Sequence, residues 1–115
     1  MANKADSGIL AELDAVLLER RGDDPRESYV ASLYQQGLNR ILEKIGEEAT
    51  EVIIAAKDCD DAEGRAALVA EVADLWFHSM VMLRDRGLSS AEVLDCLEKR
   101  FGLSGHAEKA ARETS

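Results

Sequence analysis

The segment from Ala66 to Leu83, AALVAEVADLWFHSMVML, most constrains the fold, because its apolar residues point in nearly every direction along a helix. A helix that is apolar on all sides must be covered on all sides. A chain of 115 residues forms one domain with a modest core, and its few helices can hardly provide that cover. We therefore predict that a second copy of the chain completes the core, most simply as a twofold homodimer.

The composition and the apolar periodicity predict an all-α bundle of four to five helices. Only one proline and 4% aromatic residues are present, and abundant Ala, Leu and Glu favour helices. The domain spans residues 1–115, with 103–115 as a surface tail. The predicted helices are one over about 8–20, a short one from Tyr29 that Gly37 interrupts, a long one to about Lys57, one over about 62–86, and a short one that opens at Ser89 and stops near Gly102.

The net charge and the cysteines exclude several classes of protein. A net charge of −9 argues against a nucleic-acid or anionic membrane surface, because both need basic patches. It permits a phosphorylated small molecule, provided that metal ions screen the acids. Cys59 and Cys96 match no metal-ligand spacing and are interpreted as reduced thiols. The N-terminus has no apolar export signal and no segment reads as a membrane span, so we expect a cytoplasmic protein.

Two pairs of acids accompany the apolar pattern of neighbouring helices. Glu71 and Asp74 are the acids of the segment described above, and they lie about 60° apart on one face of its helix. Glu48 and Glu51 have the same spacing on the preceding helix, and Glu47 is about 40° from Glu51. The short polar connector DCDDAEG makes the two helices antiparallel neighbours. We therefore expect the two pairs to meet across the interface.

Four carboxylates in one interface need a positive partner. Two of them about 5 Å apart repel by roughly 3 kcal/mol at an effective dielectric constant of about 20. They tolerate one another only if some are protonated or if divalent cations lie between them. An EExxE pattern alone is also typical of a solvated helix face, but ALVAEVADLWF leaves no polar face for Glu71 and Asp74. Oxygen ligands suit Mg²⁺, with Mn²⁺ as a substitute, so we predict a metal site.

Two rival interpretations start from the same residues. A ferritin-like di-iron centre also uses paired carboxylates, but it needs Glu-x-x-His on two helices. Here His78 follows Asp74 by four residues and the other helix has no histidine. His78 is therefore interpreted as a packed residue, or one that supports the ligands from behind. A non-enzymatic helical dimerisation module would need neither buried acids nor metal.

The order of the acids resembles a known signature. EEATE followed twenty residues later by EVAD is similar to the E-E-x-x-E … E-x-x-D pattern of the all-α nucleoside triphosphate pyrophosphohydrolases, the MazG-like superfamily. Within it, three blocks resemble the phosphoribosyl-ATP pyrophosphohydrolase family of histidine biosynthesis. They are SYVASLYQQGLNRILEKIGEEATEVIIAAK, EVADLWFHSMVML and the tail RFGLSGHAEKAAR. The resemblance spans roughly residues 9 to 112.

The resemblance implies a fold, a reaction and a set of ligands. The fold would be a MazG-like helical bundle completed by dimerisation. The reaction would be Mg²⁺-dependent hydrolysis of phosphoribosyl-ATP to phosphoribosyl-AMP and pyrophosphate. Glu47 would support the ligands, bind another ion or orient the attacking water. The implied metal ligands, which with Glu47 make up the catalytic set, are Glu48, Glu51, Glu71 and Asp74.

The resemblance also implies contacts between basic residues and the substrate. Lys44 and Lys57 are candidates for phosphate contacts, with ordinary surface lysines as the alternative. Donors and charge suited to the phosphoribosyl phosphate come from Arg100, Ser104, Lys109 and Arg112. The alternative function is a house-cleaning pyrophosphohydrolase that acts on dUTP or non-standard nucleotides, which the same acids would serve.

Overall fold

The computed structural model describes residues 8–102, which form five helices and no strand. The all-α fold predicted from the sequence is therefore confirmed for this part of the chain. In chain order the helices are α1 (Ile9–Arg20), α2 (Tyr29–Gln36), α3 (Leu38–Lys57), α4 (Ala62–Asp85) and α5 (Ser90–Phe101).

Polar side chains cap three of the helices between residues 8 and 102. Ser28 caps α2 by accepting a backbone N–H of its first turn at 3.1 Å. Asp61 accepts the backbone N–H of Gly64 at 2.7 Å at the start of α4. At the start of α5 the backbone N–H of Ser89 donates to Glu92 Oε2 at 2.7 Å, as part of a capping box. These bonds satisfy amide groups that the first turn of a helix leaves without partners.

Gly37 separates α2 from α3. Its φ angle is 95°, a value at which a residue with a side chain would be strained. The chain can therefore end one helix at Gln36 and begin another at Leu38 in a different direction. The interruption predicted at Gly37 is confirmed.

The hydrophobic core lies at the end of the α3–α4 hairpin that is remote from its connector. Helices α3 and α4 pack along each other, α1 packs against α4, and α2 packs against α3. Within residues 8–102, the four completely buried large side chains come from four different helices: Leu17, Leu33, Ile41 and Val81. Burial of each such side chain contributes about 1.5–3 kcal/mol. This core holds the first half of α3 against the second half of α4.

The other half of the hairpin is poorly covered within one chain. Ile53, Val69 and Trp76 are 64%, 70% and 57% exposed. Helix α4 has the length and apolarity of a membrane span, with a mean hydropathy of 1.4 over 18 residues. That is weak evidence, because core helices of soluble proteins pass the same test and Glu71 and Asp74 would be costly in lipid. The exposure agrees with the expectation from the sequence that one chain cannot cover this helix.

The connector between α3 and α4 is short and tightly packed. It contains four residues, 58–61, between Lys57 and Ala62. A Cβ atom added at Gly64 would lie 2.5 Å from the backbone carbonyl oxygen of Asp58. Only glycine allows this approach, so the first turn of α4 is pressed directly against the end of α3.

A buried carboxylate joins α1 to the start of α5. Asp14 is 5% exposed, and it accepts the backbone N–H of Ser90 at 3.1 Å and also the Ser90 hydroxyl. The Arg84 Nε–H donates to the backbone carbonyl of Asp14 at 3.1 Å. A negative charge at the N-terminus of a helix is favoured by the helix dipole. This contact therefore holds α5 against α1.

Candidate metal centre

The register of the α3–α4 hairpin brings acids of the two helices face to face. Glu48 lies nine residues before the end of α3, and Glu71 lies nine residues after the start of α4. Antiparallel helices joined by a short connector pair such positions directly. Asp74 lies one turn beyond Glu71 on the same face.

Three carboxylates form what we call the acidic cluster: Glu48, Glu71 and Asp74. One oxygen from each lies within 4.8 Å of those of the other two. Glu48 is buried, Glu71 is half-buried and Asp74 is exposed, so the cluster leads from the helix interface to solvent. The sequence prediction that acids from both helices meet is matched by this geometry.

Two oxygen atoms of the acidic cluster are buried without a hydrogen-bond partner among the described residues. They are Glu48 Oε2 and Glu71 Oε2. A buried carboxylate oxygen without a partner is costly, because it has lost water and gained nothing in return. Several oxygens that face one another with no donor between them suit a hard divalent cation such as Mg²⁺ or Mn²⁺. The residues therefore fit the metal that the sequence implies.

Glu51 is not a member of the acidic cluster. It lies one turn nearer the connector than Glu48, and its side chain is exposed. Glu48, which lies nine residues before the end of α3, is the residue that faces Glu71. Glu51 lies three residues nearer the connector, and no acid of α4 lies directly opposite it. A carboxylate on an exposed helical position can still change rotamer toward a neighbouring turn.

Lys44 and Arg40 form ion pairs around Glu47. Lys44 Nζ lies 3.2 Å from Glu47 Oε2 and 3.4 Å from Glu48 Oε1. Arg40 Nη1 lies 3.7 Å from Glu47 Oε1. The hydrogen bond to Glu47 raises the pKa of Lys44 above its ordinary value, partial burial opposes the rise and the bond to Glu48 adds to it. Sequence reasoning named Lys44 as a phosphate contact and missed Arg40, one turn earlier.

His78 packs behind the acidic cluster and is not a member of it. Its Nδ1 lies 2.8 Å from the backbone carbonyl oxygen of Asp74, and its Nε2 lies 2.8 Å from the Tyr29 hydroxyl. The Phe77 ring lies edge-on to the imidazole, with centroids 5.0 Å apart. These contacts match the interpretation of His78 as a packed residue. Sequence reasoning missed the contact that Tyr29 makes with His78, although Tyr29 directly follows the N-cap Ser28 and lies in the first of the three blocks that carry the resemblance.

The structure does not bring Lys57 or Arg100 to the acidic cluster. Lys57 is exposed at the last position of α3. Arg100 is exposed near the end of α5, in a hollow that it shares with Leu83 of α4. Leu83 is nine residues from Asp74, which is roughly 14 Å along a helix. The predicted contacts Ser104, Lys109 and Arg112 lie outside the described residues.

The antiparallel helical hairpin, with carboxylates facing each other across its interface, places the chain in a class: an all-α protein with an acidic cluster that fits divalent cations. Comparison with known proteins narrows this class. A family model described as phosphoribosyl-ATP pyrophosphohydrolase matches residues 10–101. A phosphoribosyl-ATP pyrophosphatase of Hydrogenovibrio crunogenus (strain DSM 25203 / XCL-2) is 55% identical over 104 residues, which cover 90% of this chain and 92% of that protein.

The chain belongs to the phosphoribosyl-ATP pyrophosphohydrolase family. The family predicted from the three sequence blocks is therefore confirmed. The acidic cluster, the Lys44 ion pairs and the Tyr29–His78 contact all lie within the matched residues.

Proposed function

We propose that this protein is a hydrolase that converts phosphoribosyl-ATP and water to phosphoribosyl-AMP and pyrophosphate, in histidine biosynthesis. Membership of the family carries this proposal, together with a curated relative that bears the same activity in its name. The buried, unpartnered oxygens of Glu48 and Glu71 support a cation-dependent reaction.

The acidic cluster would hold Mg²⁺, for which Mn²⁺ would substitute. Glu48 and Glu71 supply their unpartnered oxygens, and Asp74 completes the set at the solvent side. Glu51 would be the fourth ligand, since it lies one turn from Glu48 on an exposed position. When bound, the metal polarises the polyphosphate and offsets the charge that develops as the phosphoric anhydride is cleaved.

Glu47 and the basic residues bind and orient the substrate. Glu47 is half-exposed and held by two cations, which suits a group that supports the ligands and positions water. Lys44 contacts a phosphate group, and Lys57 lies on the same helix toward the connector. The phosphoribosyl phosphate is bound by Arg100, Ser104, Lys109 and Arg112, through charge-assisted hydrogen bonds.

The active protein is a soluble, cytoplasmic homodimer. Exposed apolar side chains on the connector half of the hairpin and on α4 support this proposal, because isolated monomers rarely leave such a surface open. Sedimentation analysis should give twice the chain mass of 12.6 kDa. Trp76→Glu, at a side chain that is 57% exposed, should shift the protein toward monomer, whereas a monomeric parent would contradict the proposal.

Pyrophosphate release from phosphoribosyl-ATP, with and without Mg²⁺, tests the function. We expect release only with the metal, and at least tenfold slower release from dUTP under the same conditions. Asp74→Asn should abolish turnover, whereas Asp95→Asn, at an exposed aspartate on α5, should leave it unchanged. Faster release from dUTP would instead favour a house-cleaning pyrophosphohydrolase.

A further inference from the structure

A fixed positive charge already touches the proposed metal site. Lys44 Nζ lies 3.4 Å from Glu48 Oε1, while Oε2 of the same carboxylate is buried without a partner among the described residues. The two side chains are 20% and 8% exposed, so little solvent separates them. One oxygen of the carboxylate therefore pairs with an ammonium group, and the other is buried with no hydrogen-bond partner among residues 8–102.

Helix stability does not account for this ion pair. Lys44 precedes Glu48 by four residues, and a lysine on the N-terminal side of a glutamate is the weaker order for such pairs. The pair is also largely removed from water, where bringing two charges together carries a desolvation cost. What remains to be explained is why Lys44 pairs with a member of the acidic cluster.

An ammonium group and a divalent cation on one carboxylate repel each other. Cations that share a carboxylate lie about 5 Å apart. At that distance the repulsion between charges of +1 and +2 weakens metal binding more than tenfold, even at the dielectric constant of bulk water. The Lys44 ammonium group thus opposes metal binding at Glu48 for as long as no other anion is present.

We propose that Lys44 is a resident counter-cation of the acidic cluster, which keeps Mg²⁺ weakly bound in the substrate-free protein and turns to the polyphosphate when metal and substrate enter together. The inference rests on the proposed function and deepens it. The negative charge of the substrate offsets the repulsion, and the lysine then exchanges a carboxylate for a phosphate oxygen. The metal accordingly loads with the substrate rather than before it.

Calorimetric titration with Mg²⁺ alone tests this inference at fixed ionic strength. Lys44→Met keeps the length of the side chain and removes its charge, so we expect Mg²⁺ to bind at least tenfold more tightly than to the parent. Lys99→Met is the matched control, because Lys99 pairs with Asp95 on α5 and its loss changes the net charge equally. The control should bind Mg²⁺ as the parent does.

A second titration uses inorganic pyrophosphate in the presence of saturating Mg²⁺. We expect Lys44→Met to bind pyrophosphate at least threefold more weakly than the parent, because the phosphate contact is lost. Lys44→Gln, which keeps a polar head without charge, serves for both titrations if the methionine variant does not fold.

The outcomes separate this inference from the proposed function. Equal or weaker Mg²⁺ binding by the Lys44 variants would overturn the role of Lys44, even if the parent hydrolyses phosphoribosyl-ATP with Mg²⁺. A parent that neither binds Mg²⁺ with pyrophosphate nor releases pyrophosphate from phosphoribosyl-ATP would overturn the proposed function itself.

Discussion

The hydroxyl group of Tyr29 lies 2.8 Å from Nε2 of His78, while Nδ1 of the same ring faces the backbone carbonyl oxygen of Asp74. A carbonyl oxygen can only accept, so Nδ1 carries a proton. In the neutral imidazole, Nε2 then accepts the proton of the tyrosine. This relationship connects α2 to the turn of α4 that carries Asp74.

Tyr29→Phe should destabilise the protein by about 1 kcal/mol, because a ring nitrogen of the buried His78 loses its donor. The phenyl ring keeps the stacking on Phe77 that Tyr29 makes at a centroid distance of 6.2 Å. Urea unfolding measures the change. Nitrogen-15 NMR of the parent should report the Nδ1–H tautomer of His78, and detection of the Nε2–H tautomer would show that the tyrosine does not donate to the ring.

Tyr34→Phe should have the opposite effect on stability. The Tyr34 hydroxyl is buried without a hydrogen-bond partner among residues 8–102, so its removal should be neutral or stabilising by up to about 1 kcal/mol. The Arg21 guanidinium group, 4.9 Å from the ring centroid, still has an aromatic face to pack on. A loss above about 1 kcal/mol would show that the hydroxyl has a partner.

The same variant should flatten the alkaline pH dependence of stability. Burial raises the pKa of Tyr34 above its ordinary value of 10.0. A raised pKa in the folded state means that stability is complete below pH 10 and falls as the pH rises toward the folded pKa. Urea unfolding of the parent and of Tyr34→Phe at about pH 7 and about pH 11 measures how much stability each loses. The parent should lose more than the variant.

Asp14→Ala should destabilise the protein by about 2–4 kcal/mol, because the buried backbone N–H and hydroxyl of Ser90 lose their acceptor. Ser90→Ala should cost less, since the backbone donor to Asp14 remains. Asp95→Ala removes an exposed carboxylate whose partner, Lys99, is also exposed, and it should change stability by less than about 0.5 kcal/mol. Thermal and urea unfolding of the three variants test this order.

Glu71→Gln should stabilise the protein in chelator by about 1–2 kcal/mol, because it removes one charge from three carboxylates that repel one another. Glu48→Gln should stabilise it less, since Lys44 already offsets part of that charge. Added Mg²⁺ together with inorganic pyrophosphate should make the parent more stable than either variant, because the parent then binds the ion and is stabilised by it. Thermal melts across a Mg²⁺ series at fixed pyrophosphate measure this order, with Glu98→Gln as an exposed control. A parent that stays less stable than both variants would refute the metal site.

The helices were predictable because their signals are local. Each signal acts within a few residues: the apolar spacing, the caps Ser28 and Asp61, and the helix breaker Gly37. The helices begin and end where these signals lie. The meeting of Glu48 with Glu71 was also predictable, because a short connector forces antiparallel pairing. The exclusion of Glu51 from the cluster was not, because it depends on the register of the two helices to within one turn.

Contacts between distant parts of the chain carried no sequence signal. Asp14 and Ser90 are 76 residues apart, and Tyr29 and His78 are 49 apart. Each of these residues alone is compatible with an exposed position. The burial of Asp14, Ser90 and His78 follows from how α1 and α2 fold back on the hairpin, which apolar periodicity does not specify.

The tight packing of Gly64 against Asp58 makes the geometry of the acidic cluster depend on the length of the connector. Surface connections ordinarily accept extra residues at little cost. Here one added residue would turn α4 by about 100° about its axis and carry Glu71 away from Glu48. We therefore expect active relatives to vary in length between α1 and α2, and to keep four residues between α3 and α4. The connector supplies no side chain to the acidic cluster, and yet its length is the one that natural variation is least free to change.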